Sequence, residues 1–453
     1  MRKYPAIDEE DLSLTVDKAD PFDIVRFWNQ QRTEKGWWHS FELPDGSRID
    51  GVCDLTGLKH RLAQFPIPDD LSGKRVLDIG TWDGWFAFEM EKRGAEVVAV
   101  DMWDNPRFHE MHARLGSRVE YVQSDIYELT PERIGRFDVV LFFGVLYHLK
   151  HPLLALERVC ALTTDLAAID SFILREQHVG NEMAARAVME FYETNEFGGQ
   201  TDNWVGPTLA CLTAMCRTAG FAQVVLQGVI DYSACLACYR QWPTPPGDVP
   251  AGPEVTHASH HLNGGINFRS RLDEYVSAWF RSDRPELTID DVKPQVSEYG
   301  VRPISLHPSE GGWQTNFKLP PGLTPGWHEV TVRVGDSRAG SGKRIAVDLN
   351  LPVQPIFLHG VHDSVTWAKG KLETQKGNWL SIWVSGLPEN ADANNVRVYL
   401  DGRRLKVVYV GAPAEGSTTQ INVEVPAEVP RGTAYLGVAL ADQQTDPEEV
   451  EIL

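Results

Sequence analysis

The stretch Val76–Asp104, VLDIGTWDGWFAFEMEKRGAEVVAVDMWD, constrains this chain more than any other. An apolar run ends in Asp78, a turn follows through Gly80 and Gly84, then a helix-like segment, then a second apolar run ending in Asp101. Glycine permits a tight turn and close backbone approach, and the helix start beyond it presents unpaired N–H groups. Two short apolar strands with a helix between them form a parallel unit buried on both faces. The alternation continues downstream. Strands are expected at Arg75–Ile79, Glu96–Val100, Val119–Val122, Phe137–Phe143, Leu166–Ser171, Ala222–Leu226 and Ser233–Tyr239. Helices are expected at Trp85–Arg93, closed by Gly94, at Pro152–Leu162, with proline at its start, and at Thr208–Ala219, closed by Gly220. The last two strands leave no room for a helix between them and should pair antiparallel. The expected fold is an α/β Rossmann-like domain with a seven-stranded, mostly parallel sheet.

The flanks differ from this middle. Residues 1–70 are polar and aromatic-rich, with Phe27, Trp28, Trp37, Trp38, His39 and Phe41, and read as a cap or lid. A helix is expected over Pro21–Gln31, and a hairpin over Phe41–Ile49 around Pro44-Asp45-Gly46. The α/β domain is assigned to 71–245, a proline-rich linker to 246–264, and two all-β, immunoglobulin-like sandwich domains to 265–350 and 351–453, split near Asn350–Pro355. Their segments, such as Trp327–Val334, Trp379–Val384, Gln420–Val425 and Ala434–Leu440, are β-branched or alternating, with Gly, Pro, Asn and Asp between them. No repeat of 20–50 residues is evident. The N-terminus, MRKYPAIDEEDLS, has no apolar core of a signal peptide, and the longest apolar run, Val139–Tyr147, is too short to span a bilayer. The chain therefore reads as soluble and cytoplasmic, with no membrane partner. Six cysteines in 453 residues are no disulfide framework. Cys235 and Cys238 spell CxxC, but on a strand they face opposite sides, and Cys211 and Cys216 lack i,i+4 spacing, so no metal is assigned.

The spacing of the glycine turn separates two cofactor chemistries. A dinucleotide site needs GxGxxG, so that the pyrophosphate sits on the helix N-terminus. Here Trp82 replaces the middle glycine, and Asp78 and Asp83 flank the turn. Those acids suit the sulfonium and ammonium of S-adenosyl-L-methionine (SAM) better than phosphates. Asp101, at the second strand's end, can accept from ribose hydroxyls; Met102 can pack on adenine; Asp125, after the third strand, can accept from the adenine amino group. Gly80, Thr81, Gly84, Ile126 and Gly144 complete the cofactor candidates. In these residues the chain resembles the class I SAM-dependent methyltransferases, with Asp78, Gly80 and Gly84 matching the first motif, Asp101 the ribose acid, and Asp125-Ile126 the adenine pair. The stretch from Arg136, RFDVVLFFGVLYHLKHPL, and the layout Phe191-Tyr192, Asn203-Trp204, Pro207 are similar to the tRNA wobble-uridine methyl- and carboxymethyltransferase family over residues 70–240.

The resemblance implies methyl transfer with S-adenosylhomocysteine as product. His148, behind the fourth strand beside Tyr147, is either the general base or a histidine that orients its loop. His39 is the next candidate base, against a packed surface role. Trp38, Tyr192, Asn203 and Trp204 are candidates for the acceptor site, with core packing the rival for Trp204. Three functions follow: O-methylation of a small molecule or saccharide, tRNA wobble-uridine modification, or a SAM-binding interaction protein whose sandwiches do the binding. Residues 1–245 hold 24 Lys+Arg against 37 Asp+Glu, and the whole chain carries −20. A nucleic-acid enzyme needs a basic surface, so the small acceptor is favoured over RNA. The C-terminal β domains suit association, including a homo-oligomer.

Overall fold

The computed structural model describes residues 35–453 apart from 246, 310, 350–354, 375–376, 390, 413–417 and 442. The helix expected over Pro21–Gln31 and most of the expected split at 350–355 lie outside the described residues. The chain forms two compact units, Met1–Pro243 with Tyr299–Arg302, and Thr244–Glu298 with Pro303–Leu453.

In the first unit a small hairpin, β1 (Phe41–Glu42) and β2 (Arg48–Ile49), precedes α1 (Leu55–Leu62), whose start is capped by Asp54. Then follow β3 (Arg75–Ile79), α2 (Trp85–Lys92), β4 (Glu96–Asp101), α3 (Pro106–Leu115), β5 (Glu120–Gln123), β6 (Phe137–Phe143), α4 (Pro152–Leu162) and β7 (Thr163–Phe172). A short pair, β8 (Met189–Phe191) and β9 (Val205–Pro207), precedes α5 (Leu209–Thr218), β10 (Gln223–Ile230) and β11 (Ser233–Tyr239). The seven-stranded sheet runs β10-β11-β7-β6-β3-β4-β5. It is parallel from β5 to β7, and β11 enters antiparallel between β7 and β10. The order reverses around β3, which has β4 on one side and β6 on the other, and such a switch point opens a crevice at the strands' carboxyl ends.

Alternate residues of the buried strands feed two cores. Val76, Ala99, Leu141 and Ala168 face Leu58, Leu62, Trp85 and Phe88, while Leu77, Val98, Val140 and Ala167 face Leu156, Val159, Leu212 and Cys216. Trp37, Phe41 and Phe65 belong to the first of these cores, so residues 37–65 are part of the domain rather than a cap over it. The expected boundary at 70/71 therefore cuts through a core. Helix α3 was not expected. Its stripe is narrow but readable: Phe108, Met111 and Leu115 recur at i, i+3 and i+7, the first two buried and Leu115 packed against the same core. Asn105 at its N-cap, Pro106 inside it and Gly116 after it are proper end signals too. Cys235 and Cys238 do point into opposite cores.

The second unit is almost entirely β. The expected linker over 246–264 is shorter than read, because Val255–His260 is a strand that pairs with Tyr275–Phe280. Its Thr, His and Ser residues hid it, although His257, Ser259 and His260 are buried and His260 stands opposite the core residue Val276. The unit also contains one topology twice. Tyr275–Phe280 pairs with Gly312–Lys318 in the register Tyr275↔Lys318, Ser277↔Asn316, Trp279↔Gln314; Trp379–Ser385 pairs with Thr418–Glu424 as Trp379↔Glu424, Ser381↔Asn422, Trp383↔Gln420. In one copy Ser277 and Gln314 donate to Asn316 Oδ1 at 2.6 and 3.0 Å; in the other Ser381 and Gln420 donate to Asn422 Oδ1 at 3.1 and 2.9 Å. Each copy has its bulge in the preceding strand, at Val255/His257 and at Leu358/Gly360, and the same parallel closure, Phe268↔Val347 and Leu372↔Ile452. The repeat is of domain length, outside the window in which solenoid repeats fall. One turn differs instructively. Gly264 and Trp367 hold the same left-handed position, with φ of 76° and 59°, and donate to His260 O and Asp363 O at 2.8 and 2.9 Å. At Gly264 a Cβ would lie 2.6 Å from Asn395 O of the second copy, so glycine is needed there; Trp367 is exposed.

Candidate methyltransferase site

The carboxyl ends of β3, β4, β5 and β6 bring the sequence's candidates together. Between β3 and α2, Gly80 and Gly84 take left-handed conformations with φ of 77° and 92°. A Cβ at Gly80 would collide with Val145 of the loop behind β6, so the first turn and that loop are packed against each other. Trp82 is also left-handed, with φ 53°, a conformation costing a non-glycine residue about 1–2 kcal/mol. Its N–H donates to Asp101 Oδ2 at 3.0 Å, which helps to hold the turn without the missing middle glycine. Asp78 is buried and accepts from Thr81 Oγ1 at 2.7 Å. Burial pushes its carboxyl up to about 6, against the Thr81 hydrogen bond and the nearby His39, which pull it down.

Asp101 is buried too, and burial raises its carboxyl against the backbone hydrogen bonds of Trp103, Trp82 and Met102. Its Oδ1 accepts from Trp103 N at 3.1 Å. Each oxygen thus spends one lone pair on the backbone and keeps another for a ligand hydroxyl. Met102 and Trp103 beside it are 53 % and 64 % exposed. Trp103 was missed in the sequence, although an aromatic two residues after the ribose candidate is a visible signal. Tyr121 Oη donates to Trp103 O at 2.6 Å and fixes this edge. Asp125 caps the turn Ile126–Glu128 by accepting from Tyr127 N at 3.0 Å. The Ile126 side chain lies in the core, so only its backbone can face a ligand.

Behind β6, Gly144 is left-handed and donates to Asp170 O at 2.9 Å. A Cβ there would stand 3.4 Å from Tyr147 Oη. Burial, then the Asp170 carboxylate, raises the Tyr147 phenol well above its ordinary value, so this group is a hydrogen-bond donor and not a base. His148 Nδ1 lies 3.0 Å from Asp202 O. A carbonyl only accepts, so Nδ1 carries the proton and the neutral ring's basic nitrogen is Nε2. Trp204 N donates to Tyr147 O at 2.8 Å, and Lys150 Nζ stands 4.2 Å over the Trp204 ring. Tyr192 and Asn203 are buried. Tyr192 stacks on Phe197 with centroids 5.3 Å apart, and Asn203 Nδ2 donates to Gln200 Oε1 at 2.6 Å, so both pack within the loop that carries Trp204.

The aromatic segment before β1 reaches the same place. Asp83 Oδ2 accepts from Trp38 N and His39 N at 2.9 and 3.0 Å, and Asp83 Oδ1 pairs with His39 Nδ1. Asp83 is fully buried, so its charge is spent on this segment and does not face a cofactor as the sequence suggested. A second buried pair had gone unnoticed: Arg61 Nη1 donates to Asp170 Oδ2 at 2.5 Å, and Cys235 Sγ lies 3.4 Å from the same oxygen. Its signal was an acid inside the apolar strand AAIDSF. Among the described residues, no group of three or more His, Cys, Asp or Glu could hold a metal, and no helix is long and apolar enough to cross a membrane.

Strand order and glycine turn together define a class I methyltransferase domain, whose cofactor is SAM. Residues 52–169 match the family model described as a methyltransferase domain. The chain is 41% identical over 86 residues to the ubiquinone biosynthesis O-methyltransferase of Azotobacter vinelandii, covering 18% of this chain and 36% of that protein. It is 35% identical over 144 residues to the enzyme of that name from Acinetobacter baylyi, covering 30% and 54%. The chain thus spans about a third to a half of the length of these relatives. Among solved structures it is similar to the N-terminal domain of EvdMO1 with S-adenosylhomocysteine and D-fucose, at TM-score 0.35, 19% identity, and 48% and 96% coverage. It is also similar to a 1,6-didemethyltoxoflavin-N1-methyltransferase from Burkholderia thailandensis, at 0.31, 20%, and 52% and 97%.

Proposed function

We propose that this protein transfers the methyl group of SAM to a hydroxyl oxygen of a small molecule or saccharide. The observation that carries the reading is the acid row at successive strand ends: Asp78 next to last in β3, Asp101 at the end of β4 and Asp125 behind β5. A polyphosphate would be repelled there, whereas a cation is attracted and hydroxyl or amino groups find acceptors. The residues fit the cofactor: Asp101 keeps two lone pairs for ribose hydroxyls, exposed Met102 and Trp103 offer a face for adenine, and buried Asp78 offers a negative charge beside Gly80, Thr81 and Gly84. Bound there, SAM supplies an electrophilic methyl carbon. The chain's own part is to align the acceptor, exclude water and take one proton. Tyr147 donates a hydrogen bond, Trp38 and Trp204 bound the acceptor, and a histidine, His148 or His39, receives the proton.

The charge balance of residues 1–245 disfavours RNA as acceptor, because a −13 unit repels a polyanion. The tandem β unit, read as immunoglobulin-like sandwiches, serves association, either of copies of this chain or with a glycan. The test uses SAM labelled in its methyl group with a small-metabolite extract and, separately, purified tRNA at physiological salt. Label in the small-metabolite fraction supports the reading. Label in tRNA at catalytic enzyme levels overturns it in favour of wobble-uridine modification. Label in neither, with SAM bound, leaves a SAM-binding interaction protein.

A further inference from the structure

The contact between Asp83 and the segment before β1 has more to it than packing. Asp83 lies inside the cofactor turn, between the left-handed Trp82 and Gly84. Its Oδ2 collects the N–H groups of Trp38 and His39, which alone would pin the segment. Its Oδ1 then takes the imidazole Nδ1. A carboxylate only accepts, so the neutral ring is protonated at Nδ1 and carries its lone pair on Nε2. Among the described residues Nε2 has no hydrogen-bond partner, and the side chain keeps 8% of its surface exposed. The ring stands edge-on to Phe86 at 5.5 Å between centroids. Asp83 belongs to the turn that joins β3 to α2, so the ring it holds lies against the cofactor end of β3. Cys53 feels Asp83. No Lys or Arg makes an ion pair with Asp83 among the described residues, so its charge is available to a protonated His39.

We propose that Asp83 is a positioning residue that makes His39 the base of the reaction, presenting Nε2 to the acceptor hydroxyl. This rests on the methyl-transfer reading above. In the step, the acceptor's O–H bond breaks and its proton goes to His39 Nε2. The electron pair of that bond forms the new carbon–oxygen bond, and the pair of the broken carbon–sulfur bond stays with sulfur. The imidazolium left behind faces the buried Asp83 carboxylate and later returns its proton to water. The same contact ties the aromatic segment to the cofactor turn, so the base is assembled only when segment and turn are in register.

Asp83→Asn separates this role from packing. The amide keeps one oxygen for the two backbone N–H groups but turns an N–H toward Nδ1, which forces the proton onto Nε2. Two readouts need no known acceptor: the nitrogen-15 imidazole spectrum of His39 near pH 8, and carbethoxylation of His39 by diethyl pyrocarbonate. The wild type should show Nδ1 protonated and Nε2 bare, with His39 modified. The variant should show the opposite tautomer and react at least tenfold more slowly, while S-adenosylhomocysteine binds both within about threefold. A wild-type His39 that carries its proton on Nε2, or two protons at pH 8, or that stays unmodified, overturns the proposal. An unchanged tautomer in the variant also overturns it. Should the variant fail to fold, the wild-type spectrum decides alone, and Asp83→Glu should restore the Nδ1 tautomer. Failure of the wild type to bind S-adenosylhomocysteine would instead remove the methyl-transfer reading, whatever the tautomer.

Discussion

Replacing Asp101 with alanine removes a carboxylate that does two things. It accepts from Trp82 N and Trp103 N at 3.0 and 3.1 Å, and it offers its remaining lone pairs to the cofactor ribose. Hydrogen bonds to charged groups contribute about 1.5–3 kcal/mol. If water partly replaces the ribose contacts, one such increment is lost from binding, and SAM affinity falls roughly tenfold to a hundredfold. The backbone loss is separate. Trp82 holds a strained φ of 53° with the help of Asp101, so the variant should also melt lower without ligand. Asp101→Asn keeps one accepting oxygen and should fall between wild type and alanine on both measures. Titration calorimetry with S-adenosylhomocysteine and a thermal melt of the free protein give the two numbers. Unchanged affinity in Asp101→Ala, with the protein folded, would refute the ribose assignment.

Three further outcomes are expected. Asp78 has its carboxyl raised to about 6, so the free protein gains its stabilising share below the ordinary value near 3.8 and loses it as the pH rises through 6. Cofactor cations prefer the ionised form, so SAM should bind about tenfold more weakly at pH 5 than at pH 8; calorimetry across that range checks this, and Asp78→Asn should flatten the dependence. His148→Ala should leave turnover on labelled SAM within a few-fold if His39 is the base, and lower it roughly 10²–10⁴-fold if His148 is. Gly264→Trp should destabilise the β unit through collision with Asn395, whereas Trp367→Gly should relieve about 1 kcal/mol of left-handed strain, both read from denaturant midpoints.

Local chemistry made much of the catalytic domain legible. A buried parallel strand needs a continuous apolar run, and a strand-to-helix turn needs glycine, so β3, β4, β6 and the Gly80 and Gly84 turn stand out without any tertiary information. The antiparallel β10–β11 pair followed from the length of its connection. The acids at the strand ends were legible for the same reason, since a strand's end fixes where its last side chain emerges. Helix α3 carries a readable stripe of Phe108, Met111 and Leu115, whereas Val255–His260 was hidden by Thr256, His257, Ser259 and His260, polar residues in a mostly buried strand.

The sequence by itself therefore determined the α/β class, the cofactor turn and the β character of the second half. Tertiary structure alone decided which distant groups meet. His39 and Asp83 are 44 positions apart, Arg61 and Asp170 are 109 apart, and nothing in either neighbourhood names its partner. The tandem β copies were equally invisible, because a sheet keeps only its inward apolar alternation and a few network residues such as Ser277, Asn316 and Gln314. Apolar side chains substitute freely for one another on an inner face, so the register survives in hydrogen bonds after it has faded from the letters.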